Sequence, residues 1–359
     1  MCLVEASENY GFRASPLCGT LSPLTATSEE ATMSRRQIMF AVTAPGGVGS
    51  EELDKVALLA GALHAELQLF HCIFDPQIDR AGRAGTLRAQ EDIHEFLQRR
   101  DEQLERIAER LRAGGLPVRT DVRWDYPDHD GIVREVLRRR PTLLVIQSSR
   151  RAWASRLVLT QTDYKLIETC PCPVLLIKNA AAYVAPVIVA AVDPARAHDK
   201  PASLDDGILA AASMMRDALR GSLQVFHATA SWEATVRARP ELRDLPRVEL
   251  EDVQAAYRNA IRERVLALAR PHEVSDQHVE VIEGEASELL PRIARGHGAA
   301  LVVLGAVARS RVGRALIGHT AERVLDELEC DVLVVKPPGF RTSVRQESAH
   351  HIERSVAHG

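Results

Sequence analysis

The sequence lacks several features that would assign it to a specialised class of protein. No apolar run reaches the roughly 18 residues that a membrane-spanning helix needs, and none of the six cysteines forms a CxxC pair. The net charge of −4 and the isoelectric point near 6.4 give no general electrostatic reason to bind nucleic acid. We therefore expect a cytoplasmic globular protein with reduced cysteines, without a membrane span and without a nucleic-acid partner.

A recognisable phosphate loop is also missing from the first glycine-rich stretch. Pro45–Ser50 contains neither GxGxxG nor GxxxxGK[ST]. Glu51 and Glu52 follow at once, and their charge would repel a phosphate at the start of the next helix. We interpret this stretch as a turn.

A long internal repeat is the strongest positive feature of the chain. Ala300–Lys336 and Thr142–Lys178 align without a gap, because both ends differ by 158 positions. In each copy an apolar strand pattern, a loop, a helical pattern and a second apolar strand pattern follow one another. A length of 359 residues fits two domains of about 150 residues. The repeat therefore predicts two related domains rather than a short-period solenoid.

The order of elements within each copy predicts an α/β fold. Strand and helix patterns alternate, beginning with a strand at Ile38–Val42 and a helix at Glu51–Leu67, which is typical of a parallel doubly wound sheet. We divide the chain into a disordered extension (1–35), a first domain (36–180), a second domain (186–338) and a disordered tail (339–359). Met33 is an alternative natural start, which would place residues 1–32 outside the native protein.

The pattern resembles the tandem form of the universal stress protein family, and within it the E branch. The residues that carry the resemblance are TDYKLIETCPCPVLLIK in the first copy and GHTAERVLDELECDVLVVKP in the second. The resemblance implies two tandem open five-stranded parallel sheets, each with strand order 3-2-1-4-5 and helices on both faces. It also implies an intramolecular pseudo-dimer in which Val174–Ile177 pairs with Val332–Val335.

The second copy keeps part of the nucleotide-binding signature of that family. Gly305 and Gly318 hold its first and last glycine positions, Ala308 replaces the middle glycine, and Asp193 matches the acidic residue that contacts the nucleoside. The resemblance implies a site for ATP or another adenine nucleotide, with Mg²⁺ as a possible companion. Its expected residues are Asp193, Pro194, Ala195, Phe226, Gly305, Ala306, Ala308, Arg309, Gly318, His319 and Thr320.

The first copy keeps none of the signature. Gln147, Arg150 and Thr160 occupy the three glycine positions, and Thr43 replaces the acid. A phosphate there would meet side chains where the family offers backbone. We expect no nucleotide in the first domain.

These observations favour a stress-response regulator that binds a small-molecule ligand and an unknown regulatory protein, with further oligomerisation left open. We assign no catalytic residue and no metal ligand. Two alternatives stay open: a slow ATPase that uses the second domain, and a scaffold that holds a different, amphipathic ligand. His71 and His227 fall at equivalent places, and we interpret both as hydrogen-bonded strand-end histidines rather than ligands.

Overall fold

A computed structural model describes residues 36–43, 48–83, 87–147, 159–194, 203–242, 246–306 and 319–346. All of these lie within one structural unit, residues 35–359. Within it the chain builds the same succession of elements twice.

The first half contains five strands and five helices among its described residues. The strands are β1 (Gln37–Ala41), β2 (Glu66–Ile73), β3 (Val118–Trp124), β4 (Leu143–Gln147) and β5 (Val174–Ile177). The helices are α1 (Ser50–Ala62), α2 (Pro76–Arg83), α3 (Leu87–Ala113), α4 (Asp128–Arg139) and α5 (Gln161–Thr169).

The described part of the second half repeats this order of elements. Its strands are β6 (Val187–Ala191), β7 (Ser222–Thr229), β8 (Val279–Glu283), β9 (Leu301–Gly305) and β10 (Asp331–Val335). Its helices are α6 (Ser203–Leu219), α7 (Trp232–Ala238), α8 (Arg247–Ala269), α9 (Ala286–Gly296) and α10 (His319–Glu327).

The ten strands form one sheet in the order β3-β2-β1-β4-β5-β10-β9-β6-β7-β8. Each half has the predicted order 3-2-1-4-5, and its internal neighbours run parallel. The two five-stranded sheets are joined by β5 and β10, which pair antiparallel with Leu333 opposite Leu175. The predicted pairing of the last strands is confirmed, and its consequence is one continuous sheet rather than two separate ones.

The strands at this junction are buried on both faces, which explains their unbroken apolar sequences. Every residue of β5 and β10 is buried, and Leu175 and Leu333 are fully inaccessible to solvent. Pairing the two strands satisfies the backbone groups of two sheet edges at once.

The predicted end of the first helix was wrong. We expected a helix over Glu51–Leu67, but α1 ends at Ala62 and Leu67 lies in β2. His64 adopts a positive φ of 50°, and the N–H of Ala65 donates to the carbonyl of Ala60 at 2.9 Å, which closes a tight turn. The apolar pattern continues through this turn, so periodicity alone did not show the boundary.

Two short helices, α2 and α7, were not predicted. Side-chain caps precede both of them: the Asp75 carboxylate accepts the N–H of Gln77 at 2.8 Å, and the Ser231 hydroxyl accepts the N–H of Ala234 at 3.2 Å. An Asp followed by Pro, or a Ser before a helical pattern, is a start signal that the sequence offered. Among the described residues no helix is long and apolar enough to cross a membrane.

Candidate nucleotide site and its first-half counterpart

Each half contains a point where the strand order reverses direction. The chain passes from β1 to β2 on one side and returns to β4 on the other, and β6, β7 and β9 repeat this arrangement. In open α/β sheets, ligands bind in the crevice at the carboxyl ends of the strands at such a point. The two crevices are therefore the places to compare.

Asp193 follows β6 at the crevice of the second half. Its backbone N–H donates to the carboxylate of Asp205 on α6 at 3.0 Å, and Asp205 is buried. The side chain of Asp193 is 37% exposed, and its Oδ1 lies 3.8 Å from Nδ1 of the buried His227. The backbone of Asp193 is thus held by Asp205 of α6, while its carboxylate is partly exposed to solvent.

Gly305 ends β9 beside that crevice, and its lack of a side chain leaves room for packing. A Cβ built on Gly305 would lie 2.8 Å from Cδ2 of Leu204 and 3.0 Å from Cδ1 of Ile208. Both side chains belong to α6 and are buried. A side chain at position 305 would therefore require the Leu204 and Ile208 side chains to shift, whether or not a ligand binds.

Two other expected ligand residues are engaged within the fold. The N–H of Ala306 donates to the carbonyl of Val335 at 2.9 Å, which extends the pairing of β9 with β10. The side chain of Phe226 is buried in the core cluster that includes Val189 and Val302. Pro194 follows Asp193 and is half-buried. Of these residues, Asp193 is the one with a polar side chain partly exposed at the crevice.

The remaining expected residues fall largely outside the described part of the chain. His319 and Thr320 form the first two positions of α10. Four more lie in ranges that the structure does not describe: Ala195, Ala308, Arg309 and Gly318.

In the first half, α5 corresponds to α10, and its amino end is capped by two of the protein's own side chains. The Thr160 hydroxyl accepts the N–H of Asp163 at 3.2 Å, and the Asp163 carboxylate accepts the N–H of Thr160 at 2.8 Å. These two reciprocal bonds form a capping box at the amino end of α5. Burial raises the pKa of the Asp163 carboxyl.

A second carboxylate stands near the same helix end. Both oxygens of Asp128, the first residue of α4, lie 3.4 Å from the Thr162 hydroxyl. Hydrogen bonding by the neighbouring His129 lowers the pKa of Asp128, which favours its charged form. A phosphate at the amino end of α5 would therefore face negative groups that already occupy its place.

These oxygen-bearing residues have different counterparts in the second half. At the repeat offset of 158 positions, Thr160 corresponds to Gly318, Asp163 to Ala321 and Asp128 to Ala286. Glycine and alanine carry no side-chain oxygen that could cap the helix. Our sequence reasoning singled out Thr160 but missed Asp163 and Asp128. The T-x-x-D spacing from Thr160 to Asp163 was the available signal.

The first crevice also lacks a counterpart of the Asp193 carboxylate, because Thr43 follows β1 there. His71 lies beneath, with Nδ1 2.6 Å from the carbonyl of Val42. Burial lowers the pKa of His71 to about 4. It is therefore a neutral hydrogen-bonded strand-end histidine near pH 7, as predicted.

We examined the described residues for side chains that could together bind a metal ion. Within the described ranges, no group of three or more His, Cys, Asp or Glu side chains is arranged to hold a metal ion. Cys170 and Cys172 lie with their sulfurs 3.5 Å apart as free thiols. Burial and hydrogen bonding with Cys170 raise the pKa of Cys172, which disfavours the thiolate that would bind a metal.

A doubly wound α/β sheet, present twice and joined through its last strands, places the chain among proteins built from tandem doubly wound α/β domains. Comparison with known proteins makes this specific. The chain belongs to the universal stress protein family, whose model matches residues 34–178 and again residues 179–336.

Individual relatives agree with this assignment. The chain is 27% identical to universal stress protein E of Escherichia coli K12 over 235 residues, which is 64% of this chain and 72% of that protein. It is 29% identical to a crystallised protein of unknown function from Pseudomonas aeruginosa PAO1, with a TM-score of 0.64 over 85% of this chain and 93% of that one. A universal stress protein from Archaeoglobus fulgidus shares the fold alone, at 15% identity and a TM-score of 0.52, over 84% of this chain and 98% of that one.

Proposed function

We propose that this protein is a stress-response regulator that binds one adenine nucleotide per chain, in the crevice of its second domain. We propose residues 36–180 and 186–338 as its two domains. We also propose that the protein acts by binding an unidentified regulatory protein. The observation that carries the proposal is the difference between the two helix ends. The amino end of α5 is filled by the chain's own Thr160 and Asp163, whereas the matching positions of α10 are Gly318 and Ala321.

The amino end of a helix attracts phosphate because its first N–H groups lack helical partners and the helix dipole is positive there. At α5 the capping box uses the N–H groups of Thr160 and Asp163 and adds a buried carboxylate. At α10 the sequence supplies no side-chain oxygen at the same positions. The backbone N–H groups of Gly318, His319 and Thr320 would then face the phosphates, Arg309 would add a cation, and Mg²⁺ bound with the nucleotide would supply further positive charge.

Asp193 would hold the opposite end of the ligand. Its carboxylate is accessible at the strand-order reversal, and the buried Asp205 fixes its backbone. Carboxylate oxygens accept hydrogen bonds from the two hydroxyls of a ribose. Gly305 and Ala306 would shape the floor of the site through backbone packing, and Phe226 would support that floor from within the core.

Calorimetric titration with ATP tests this proposal. We expect one site per wild-type chain, which Gly318→Val blocks sterically and which Asp193→Ala weakens by about 1–3 kcal/mol through a lost charged hydrogen bond. Thr43→Ala is the matched control in the first domain and should leave the affinity unchanged. If His319 contacts phosphate as a cation, affinity should also be lower at pH 8 than at pH 6.

Two outcomes would overturn the nucleotide proposal. Two equivalent sites would show that the capped α5 does not exclude nucleotide. Unchanged affinity in both Gly318→Val and Asp193→Ala would show that ATP does not bind at these residues. A scaffold that holds a different, amphipathic ligand would then be the better explanation. Phosphate release above background that is lost in Gly318→Val would instead favour the slow ATPase.

A further inference from the structure

A buried ion-pair cluster lies where the two halves meet, at the first residue of β10. Asp331 is fully buried, and its carboxylate lies 2.5 Å from the Lys55 ammonium on α1. It also accepts the hydroxyl of Tyr183 at 2.5 Å and the backbone N–H groups of Lys178 and Asn179 at 2.9 and 3.0 Å. One carboxylate of the second half is thus held by the first half and by the segment that connects them.

The cation of this pair is equally enclosed. Lys55 is 2% exposed, donates to the carbonyl of Asn179 at 2.7 Å, and lies 4.0 Å from the centre of the Tyr183 ring. A buried charge whose partner is removed is strongly destabilising, because its desolvation is no longer compensated. Lys55 and Asp331 therefore depend on each other.

Other contacts across the same junction obey the pseudo-two-fold symmetry. Lys178 donates to the carbonyls of Leu325 and Leu328 at the end of α10, and Lys336 donates to those of Ile167 and Glu168 at the end of α5. Because Lys178 and Lys336 are repeat counterparts, these contacts would form between any two halves. They do not distinguish one pairing from another.

The Lys55–Asp331 pair breaks that symmetry. At the repeat offset Asp331 corresponds to Pro173, and matching the turns that end α1 and α6 makes Ala211 the counterpart of Lys55. Asn179, whose N–H reaches Asp331, corresponds to Pro337, which has no N–H. The two charges therefore meet only when a first half pairs with a second half.

We propose that Lys55 and Asp331 specify the partner of the β10 edge, favouring β5 of the first half over the β10 of another copy. In a β10–β10 pair each buried Asp331 would face Ala211 and lose its cation. In a β5–β5 pair each buried Lys55 would face Pro173 and lose its carboxylate. Wrong pairings are thus penalised by unpaired buried charge, which is how specificity against similar partners is built.

Disulfide trapping in the full-length chain reads out the pairing directly. Leu175 faces Leu333 in the observed register, and under the pseudo-two-fold a β10–β10 pair would place residue 333 opposite itself. The reporter chain carries Leu175→Cys and Leu333→Cys, with all six native cysteines replaced by alanine. After refolding at high protein concentration and mild oxidation, peptide mapping counts the 175–333, 333–333 and 175–175 links.

We expect the reporter with Lys55 and Asp331 intact to yield 175–333 links almost alone. Adding Lys55→Met with Asp331→Asn removes both charges together, so no uncompensated charge is buried. This change should raise the 333–333 and 175–175 links at least tenfold, with covalent dimers visible on a denaturing gel. Lys55→Arg keeps the charge and should behave like the parent reporter.

A second variant tests the proposal without disturbing the existing pair. Ala211→Lys, at a half-buried position, supplies the cation that a β10–β10 pair lacks, and it should raise the 333–333 links severalfold. Ala211→Met adds similar bulk without charge and should not. If neither the charge-free variant nor Ala211→Lys changes the distribution of links, the tether between the halves alone sets the pairing, and the proposal is wrong. If the charge-free variant does not fold, the comparison of Ala211→Lys with Ala211→Met alone tests the proposal.

Discussion

The amino ends of α5 and α10 occupy equivalent places in two copies of one fold, yet they carry different residues at the two capping positions. In the first copy Thr160 and Asp163 satisfy the end of α5 by reciprocal hydrogen bonds. In the second copy Gly318 and Ala321 stand at those positions. A duplicated domain can therefore keep its fold while the start of one helix differs between the copies, with a capping box in the first and no side-chain oxygen at the same two positions in the second.

The crevices teach a second lesson about retained glycines. Gly305 matches a nucleotide-binding signature, but a side chain there would first meet Leu204 and Ile208 of α6. The first copy has Gln147 at the same position. A glycine in a binding motif can thus also leave room for a packed helix, and its presence alone does not identify a phosphate site.

The largest expected effect on stability concerns the junction of β5 and β10, to which both halves contribute. Leu333→Asp would place a charge in a fully buried position at the centre of the ten-stranded sheet, with Leu175 opposite. We expect a loss of more than about 4 kcal/mol in the free energy of unfolding. Urea denaturation measures it, and Val184→Asp, at a position 85% exposed, is the control that should change little. Comparable stability of the two variants would mean that β10 is not buried against β5.

A smaller effect should appear with pH, through His71. Its folded-state pKa is about 4, below the value of 6.5 in the unfolded chain, because burial disfavours the cation. The unfolded state therefore binds more protons between pH 6.5 and pH 4, and stability falls as pH falls through this window. We expect wild type to lose roughly 2 kcal/mol between pH 7 and pH 5 through this group. His71→Asn should lose less in urea denaturation at the two pH values, and an equal loss would show that His71 is not responsible.

Gly305→Ala separates packing from ligand contact. The added methyl group would overlap Leu204, so we expect a loss of about 1–3 kcal/mol in stability even without nucleotide. Leu204→Ala should make Gly305→Ala less costly in a double-mutant cycle, because it removes the overlapping atoms. Gln147→Ala in the first copy is the matched control. Additive costs of Gly305→Ala and Leu204→Ala would argue against the packing explanation.

The smallest effect concerns the capping box itself. Thr160→Ala removes one of its two reciprocal bonds and should reduce stability by about 1 kcal/mol. Thr160→Ser retains the hydroxyl and should restore most of the loss. Thermal or urea denaturation of the three proteins is the measurement. If alanine costs no more than serine, the box contributes nothing to α5.

Much of the fold followed from the residues, because buried parallel strands have unbroken apolar sequences and the repeat fixes two domains at once. The pairing of β5 with β10 was implied by the family resemblance and is confirmed. The turn after Ala62 was missed because the apolar pattern runs through it, and α2 and α7 because they are too short to show periodicity.

For the site, the sequence predicted Asp193 just after a strand, and it does follow β6. The sequence could not show that Phe226 points into the core or that the Ala306 N–H is already used. These facts depend on which way a strand faces and where it ends. The Lys55–Asp331 pair was also invisible, because its members stand far apart in the chain and meet only through the junction of the halves.

The most direct test grafts the first copy's helix cap onto the second. Gly318→Thr with Ala321→Asp would rebuild the capping box at α10, which would use the N–H of residue 318 that we assign to phosphate and would add a negative charge at the same helix end. Calorimetric titration with ATP should then show one site in wild type and none in the graft, while urea denaturation shows the graft to be at least as stable. Thr160→Ala should bind as wild type does. Undiminished ATP binding by a folded graft would contradict the proposal that the amino end of α10 belongs to the nucleotide site.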